Sequence, residues 1–209
     1  MKIQPLGDAA LVVQLGSRID TDLSAKAQTL ANRLRSRQGV QDALASYCSV
    51  TVHYNPDSVS YQTLRSAVER LHQKPAKVTR SGRLHRIPVI YDGPDLPDAA
   101  EALGISIAEV IQIHSSATYR VFLIGFAPGQ PYLGPLPAKL QLPRRSTPRT
   151  YVPAGSVAIA GRQTNVYTWP TPGGWHVLGR TDMRLVFLDR DPPALLRAGD
   201  RVKFVPRAE

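Results

Sequence analysis

Apolar residues along the first eighty positions follow strand and helix periodicities. Three apolar or alternating runs predict strands: Ala9–Leu15, Val40–Ala45 and Ser49–Tyr54. Between them, apolar residues recur every three to four positions from Thr21 to about Arg37, which predicts an amphipathic helix capped by Asp20 or Thr21. A second helix is predicted after Ser60, which can cap it.

The predicted order is strand, helix, strand, strand, helix, and this order resembles a ferredoxin-like α/β sandwich. We therefore predict a first domain of that kind over residues 1–80. Such a fold hosts many unrelated activities and says little about function.

Residues 81–209 have a different composition, because 15 of the 18 prolines and 12 of the 15 glycines lie there. Helices are predicted at Pro94–Leu103 and from a capping box at Ser106 to His114, and a strand at Arg83–Tyr91 should break at Pro88. Further short strands are predicted at Tyr119–Ile124, Val157–Ala160, Val166–Trp169, His176–Leu178, Leu185–Phe187 and Val202–Val205. Many short strands with dense turns predict a compact β-barrel or sandwich, joined to the first domain by a connector at Gln73–Gly82.

The net charge of +10 comes from 26 basic and 16 acidic residues, and it is shared equally by the two predicted domains. No basic tail, zinc-finger spacing or aromatic platform accompanies it, so we predict no nucleic-acid partner. An anionic small molecule or an acidic partner protein fits the charge. No apolar stretch approaches a membrane span, and the opening residues do not form a signal peptide. With the single Cys48 expected to pack in the core, the sequence predicts a cytoplasmic protein.

Motifs for nucleotide and metal binding are not present in this sequence. It contains no phosphate-binding loop, and its five histidines are scattered without metal-ligand spacing, so we predict no metal site. His114 follows a predicted helix, where an imidazolium capping the helix C-terminus is favoured over a catalytic role. The catalytic residues cannot be assigned from the sequence.

Three segments carry the residues that suggest a binding site. In the loop 124–132, Phe126, Gln130 and Tyr132 are expected to alternate outward from a backbone fixed by glycine and proline. The proline-braced segment 143–149 places three arginines within six positions, a supply of donors for a carboxylate or phosphate, although a solvated loop is the alternative for each of them. The glycine-rich segments 152–164 and 171–181 either approach a ligand closely or turn barrel corners. The predicted binding residues are Gln130, Tyr132, Arg144, Arg145, Arg149, Gln163, Thr164, Gly173, Gly174 and Trp175.

These motifs, in this order, resemble the family that includes the B subunit of 5-oxoprolinase, sporulation-kinase inhibitors and the first subunit of allophanate hydrolase. The resemblance rests on Ile124–Leu133, Pro143–Arg149, Val152–Val157, Ile159–Gly161 with Gln163 and Thr164, Pro172–Trp175, Gly179–Thr181, Arg190–Pro193, Gly199–Val202 and the opening Gly7–Leu11. Gln130 stands where the family commonly has Phe, and Asn165 where it commonly has Gly.

The resemblance implies an α/β N-terminal domain followed by a cyclophilin-like β-barrel at residues 81–209. It also implies that the chain acts with the A and C subunits of 5-oxoprolinase to open 5-oxoproline to glutamate with ATP and Mg²⁺. We expect the single chain to be inactive, because it carries neither a nucleotide motif nor a catalytic triad. A regulatory protein that inhibits a sensor histidine kinase and a component of a urea or allophanate carboxyl-transfer or hydrolase enzyme are the alternatives.

Overall fold

The computed structural model describes residues 1–73 and 82–208. The chain forms two compact units, residues 1–81 and 82–209. The predicted connector, apart from its end residues Gln73 and Gly82, lies outside the described residues. Both units combine helices with sheets, so the fold class is α+β.

The first unit is a four-stranded antiparallel sheet with two helices. Its elements are β1 (Lys2–Pro5), β2 (Ala10–Gln14), α1 (Thr21–Arg35), β3 (Val40–Ser46), β4 (Ser49–Tyr54) and α2 (Tyr61–Gln73). The strand order in the sheet is β1-β2-β4-β3. Strand β1 was not predicted, because its residues are mostly exposed and lack an apolar alternation.

Helix α1 begins where the sequence predicts it. The Asp20 carboxylate accepts hydrogen bonds from the backbone N–H groups of Asp22 and Leu23, at 2.9 and 3.0 Å. The helix ends at Arg35, two residues before the predicted end. Its apolar face packs into the core of this unit, where Cys48 also lies buried as a free thiol, as predicted.

The second unit contains nine strands, two α-helices and one 3-10 turn within the described residues. They are β5 (Leu84–Val89), α3 (Leu96–Leu103), α4 (Ile107–Ser116), β6 (Tyr119–Ile124), β7 (Pro131–Gly134), a 3-10 turn (Ala138–Leu140), β8 (Arg149–Val152), β9 (Ser156–Ala160), β10 (Gln163–Val166), β11 (Thr171–Gly173), β12 (His176–Arg180) and β13 (Arg201–Pro206). The predicted capping box at the start of α4 is confirmed, since Ser106 and Glu109 exchange hydrogen bonds.

Seven of these strands form one sheet in the order β12-β9-β10-β7-β6-β13-β5, and β8 pairs with β11 separately. Strands β5 and β13 are parallel, and the other neighbours are antiparallel. Beyond the end of β5, Ile90 and Arg180 exchange backbone hydrogen bonds of 2.9 and 2.8 Å. This bridge connects the two edge strands, so the sheet is a nearly closed barrel.

Three strand predictions in this unit are wrong. Strand β5 continues through Pro88, because β5 is an edge strand and a missing N–H is tolerated there. The predicted strand Val166–Trp169 starts earlier, at Gln163, and ends at Val166. The segment Leu185–Phe187 is not a strand and forms only an isolated bridge between Val186 and Ala194.

The two faces of the barrel wall pack into different clusters. On β9, Val157 and Ile159 belong to the main core, whereas Ala158 and Ala160 belong to a smaller cluster on the other face. This smaller cluster, here called the outer cluster, consists of Val152, Ala158, Ala160, Tyr167, Trp175 and Val177, with Tyr132 packed against it. Alternation along the strands thus separates the core from a second, aromatic face.

Candidate functional site

The outer cluster brings together aromatic residues from three segments that are distant in sequence. Asn165 of β10 pairs with Tyr132 of β7 on one side and with Ala158 of β9 on the other. The ring of Tyr132 meets that of Trp175 edge-on, with centroids 5.8 Å apart. A wall with aromatic groups therefore covers the outer face of β7, β10 and β9.

Tyr167 completes this wall. The Asn165 side chain hydrogen-bonds the phenol of Tyr167, and a Cβ atom at Gly173 would overlap the Tyr167 hydroxyl. Gly173 is therefore required by close packing on a side chain of the cluster. Burial raises the pKa of both Tyr132 and Tyr167, so both phenols are protonated at neutral pH.

The arginine segment 143–149 is held beside this wall by backbone contacts. The N–H of Arg145 donates to the carbonyl of Gly174 at 2.8 Å, and His176 Nε2 donates to the carbonyl of Pro143 at 2.9 Å. Gly174 also lies against Pro148. The predicted residues Gly173 and Gly174 thus join the arginine segment to the outer cluster.

A buried carboxylate fixes two of the three arginines. Asp95 is 1% exposed and accepts a hydrogen bond of 2.5 Å from Arg145 and two of 2.6 Å from Arg149. The backbone N–H of Val177 adds a fourth, at 2.8 Å. Burial opposes ionisation of Asp95, but these hydrogen bonds and the two positive charges outweigh it and lower the pKa of the carboxyl group.

Arg144 differs from its two neighbours, because it is exposed and makes no ion pair within the described residues. Its positive charge acts on both phenols of the wall, where it opposes the rise in the pKa of Tyr132 and of Tyr167. Of the three arginines, Arg144 is therefore the one positioned beside the aromatic wall with its charge uncompensated.

Thr164 and Gln130 lie apart from this constellation, whereas Gln163 lies on the same face of β10 as Asn165 and pairs with Ala160 of the outer cluster. Thr164 is fully buried on the main-core face of β10, while Gln163 next to it is half-buried. Gln130 was expected to point outward, but it is 1% exposed, because the loop around it folds back through hydrogen bonds from Gly125 N–H to Gln130 O and from Gln130 N–H to Ala127 O.

His114 is not a C-terminal cap of helix α4. It is fully buried and stacks on Phe204 with ring centroids 4.6 Å apart. The Thr164 hydroxyl donates to the carbonyl of Ala158, so His114 Nε2–H donates to Thr164 at 2.9 Å and Nδ1 accepts from the Tyr91 hydroxyl at 2.8 Å. Burial lowers the pKa of His114 to about 3, so the imidazole is neutral and cannot act as a cationic cap.

Sequence reasoning missed Asp95 as part of this arrangement and noted Asn165 only as a residue that stands where the family commonly has Gly. Asp95 precedes α3, where an aspartate is typical of a helix cap, yet its side chain makes no cap hydrogen bond. The one signal in the sequence is the concentration of arginines at 143–149, which calls for a counter-charge somewhere in the fold. Nothing in the sequence indicates that this counter-charge lies fifty residues away.

Over residues 1–73 and 82–208, no group of three or more His, Cys, Asp or Glu side chains is arranged to hold a metal ion. Within those same ranges, no helix has the length and apolar character needed to cross a membrane.

Comparison with known proteins identifies the family. Residues 1–196 match the family described as carboxyltransferase domain, subdomain C and D. The chain is 40% identical over 208 residues to the B subunit of 5-oxoprolinase from Escherichia coli O157:H7, covering 98% of this chain and 95% of the relative. The same subunit from Bacillus subtilis strain 168 is 37% identical over 224 residues, covering 100% and 93%. The chain belongs to the family of 5-oxoprolinase B subunits.

Two further comparisons show how this fold is used in longer chains. The crystal structure of TTHA0988 superimposes with a TM-score of 0.86 at 37% identity, covering 96% of this chain but only 40% of TTHA0988. Urea amidolyase of Saccharomyces cerevisiae is 33% identical over 117 residues, which is 53% of this chain and 6% of that protein. In both, the part that resembles this member of the 5-oxoprolinase family is a minor share of the polypeptide.

Proposed function

We propose that this chain is the B subunit of a multi-subunit 5-oxoprolinase, which opens 5-oxoproline to glutamate with hydrolysis of ATP. The observation that carries the proposal is the match of the whole chain to proteins of that name, at 37–40% identity over nearly their full length. The partners are the A and C subunits, and the compartment is the cytoplasm. In this proposal, residues 1–80 are a ferredoxin-like domain and residues 81–209 a cyclophilin-like barrel.

The members of the outer cluster are themselves buried, and the proposed substrate-binding surface is its half-buried edge at Tyr132, beside the exposed Arg144. 5-Oxoproline carries a carboxylate at neutral pH, and Arg144 supplies an exposed guanidinium next to the protonated phenol of Tyr132. Tyr132 supplies an aromatic contact for the ring of the lactam, and the buried Trp175 supports the Tyr132 ring edge-on from behind. Arg145 and Arg149 act by holding the segment in place, since Asp95 already engages them.

ATP is a substrate of this reaction, and phosphorylation of the lactam oxygen would make its carbon electrophilic. The described residues contain no carboxylate cluster that fits Mg²⁺, and the sequence has no phosphate-binding loop. We therefore assign no step of ATP chemistry to this chain. Its role is to contribute part of a shared site, and the chain alone is inactive.

Reconstitution tests the proposal directly. ATP hydrolysis and glutamate release are measured with this chain and the A and C subunits together, and then with each of the three omitted in turn. We expect 5-oxoproline-dependent turnover only in the complete mixture. Turnover that is unchanged when this chain is omitted would contradict the role, and turnover by this chain alone would contradict its dependence on partners.

A carboxyl-transfer role is the second candidate, favoured by the family description and by the 33% identity to part of urea amidolyase. It predicts that urea or allophanate, and not 5-oxoproline, stimulates turnover by the assembled complex. The same reconstituted mixture, assayed with each compound separately, distinguishes the two.

A further inference from the structure

Three basic side chains share the outer face of the parallel strands β5 and β13. The buried positions of both strands belong to the main core, so the residues between them point outward. These outward residues are Leu84, Arg86 and Pro88 on β5 and Arg201, Lys203 and Val205 on β13. The three basic residues among them, Arg86, Arg201 and Lys203, are here called the basic face.

The pairing register brings these positive charges close together. Lys203 is the Cα partner of Arg86, on strands about 5 Å apart, and Arg201 lies on the same side of β13 as Lys203. On its other side, Arg201 is paired with Arg120 of β6. Like charges on neighbouring strands repel, and the exposed side chains of Arg86 and Arg201 add nothing to the core. An arrangement that costs stability without improving packing is a candidate for function.

Carboxylates near the basic face are already engaged by other groups. Asp200 is buried, and its carboxylate accepts from His85 Nε2 at 3.1 Å and from the backbone N–H of Arg83 at 3.0 Å. Asp182 pairs with Arg207 at 3.0 Å. Within the part of the chain that the structure describes, the side chains of the basic face make no ion pair. The face therefore carries three positive charges without counter-charges.

A cleft of about 410 Å³ adjoins the basic face through Arg86. Two other arginines line this cleft, but each has a carboxylate partner, since Arg207 pairs with Asp182 and Arg180 with Asp92 at 2.7 Å. The remaining lining residues are largely apolar: Pro88, Ile90, Thr181 and Met183. The cleft thus offers room for a ring at one end of the basic face, and Arg86 belongs to both.

The spacing of these charges favours a chain of phosphates over a single carboxylate. One carboxylate is satisfied by one guanidinium, whereas linked phosphates present several anionic oxygens in a row and can engage side chains from both strands. A single-stranded nucleic acid is disfavoured, because the outward positions of β5 and β13 carry no aromatic side chain on which bases would stack.

We propose that the basic face is a binding site for a linear polyphosphate, either free or as the phosphate chain of a nucleotide. Arg86, Lys203 and Arg201 contact successive phosphates, and the adjoining cleft receives the nucleoside of a nucleotide. The site lies on other strands than the Tyr132 edge proposed for 5-oxoproline, and it depends neither on that role nor on other subunits. It is a binding site, and no chemical step is assigned to it.

Calorimetry with the full-length chain in magnesium-free buffer tests the site, with sodium tripolyphosphate and ATP as separate probes. We expect Arg86→Gln and Lys203→Gln each to weaken the binding of tripolyphosphate by about fivefold, and the double variant by about 20-fold. Added salt should weaken binding to the wild type, because charged contacts at an exposed site are screened. Without ligand, the melting temperature of each variant should be no lower than that of the wild type, since the substitution relieves repulsion between like charges.

The matched control is Arg162→Gln. This substitution removes an exposed arginine from the turn between β9 and β10, so it lowers the net charge by the same amount and should leave the affinity unchanged. Equal affinities for tripolyphosphate and ATP would support a site for the phosphate chain alone, whereas tighter binding of ATP would support a role of the cleft as well.

Three results would overturn the proposal. The first is a wild type that does not bind tripolyphosphate. The second is a loss of affinity in Arg162→Gln as large as that in Arg86→Gln, because net charge and not the basic face would then be responsible. The third is binding of a single-stranded oligonucleotide that requires Arg86 in the absence of any binding of tripolyphosphate, which would assign the face to nucleic acid.

Discussion

Asp95→Asn is expected to destabilise the second unit by about 3 kcal/mol. The carboxylate accepts four hydrogen bonds, three of them from guanidiniums, and asparagine would turn an NH₂ group toward some of these donors. Removing one partner of a buried ion pair costs about 3–5 kcal/mol. The lower value applies here, because Arg145 and Arg149 are each 28% exposed and water can partly solvate them.

Tryptophan fluorescence during thermal unfolding measures this effect selectively, since both tryptophans, Trp169 and Trp175, lie in the second unit. A loss of about 3 kcal/mol in a unit of this size corresponds to a melting temperature lower by about 10 °C. The matched control is Asp92→Asn. Asp92 also pairs with an arginine, Arg180, at 2.7 Å, but both side chains are solvent-exposed, so the expected loss is about 0–1 kcal/mol.

The pH dependence of the same pair provides a second readout. The pKa of Asp95 is lowered in the folded state, so its contribution to stability is complete above its unfolded pKa of about 4. The contribution is lost as pH falls through the lower, folded value. The stability difference between wild type and Asp95→Asn should therefore be constant from about pH 5 to about pH 8 and should shrink below about pH 4. Equal losses in the Asp95 and Asp92 variants, or a difference that does not change with acid, would refute the reasoning.

Two other substitutions and one titration test the site and the core. Arg144→Ala in the reconstituted enzyme should raise KM for 5-oxoproline by about 10- to 150-fold, which corresponds to the loss of a charged hydrogen bond of about 1.5–3 kcal/mol. The control is Arg162→Ala, which removes another exposed arginine and should leave KM unchanged. Nuclear magnetic resonance of His114 should show a neutral imidazole throughout the range from about pH 5 to about pH 8. The folded pKa of His114, about 3, lies below the unfolded value of about 6.5, so the contribution of the neutral imidazole to stability is present above about pH 6.5 and falls toward pH 3. Titration of His114 near pH 6.5 in the folded protein would contradict this assignment. Gly173→Ala should destabilise the second unit by about 1–3 kcal/mol, because the new methyl group would overlap the hydroxyl of the buried Tyr167. Gly174 has room for a methyl group, so the control Gly174→Ala should change stability by less than about 0.5 kcal/mol. Equal effects of the two substitutions would be evidence against the packing argument.

Local signals in the sequence predicted the helices well. Asp20 and the Ser106–Glu109 capping box mark the starts of α1 and α4 because a cap involves side chains and backbone within four residues. The same holds for Gly104, which ends α3 in the left-handed conformation. Such features need no knowledge of the rest of the fold.

Strand assignments failed where long-range pairing decides the outcome. Pro88 is tolerated because β5 is at the edge of the sheet, and edge position is a property of the whole topology. The segment 185–187 is apolar enough to form a strand, but it lines a cleft and finds no continuous partner. Periodicity identifies apolar runs without showing which neighbour they meet.

The sequence predicted several residues that the structure brings together at the candidate site, but not the different contacts that the three arginines make. An arginine cluster next to glycine and aromatic segments indicated anion binding, and the structure places Arg144, Tyr132 and Trp175 near one another. Which arginine faces outward depends on Asp95, fifty positions away, and on the alternation of side chains across β7, β9 and β10. These are tertiary relations that a single sequence does not encode in any local pattern.

The pairing of β5 with β13 constrains the order in which the second unit can fold during synthesis. The backbone N–H of Arg83 donates to the carboxylate of Asp200 across a separation of 117 positions, and the two strands pair along their whole length beyond that contact. Until residues 201–206 leave the ribosome, β5 and β6 have no neighbour between them and present open edges to the cell. The barrel is therefore a late, slow-folding part of the chain, whereas the first unit can complete its sheet as soon as its own residues have emerged.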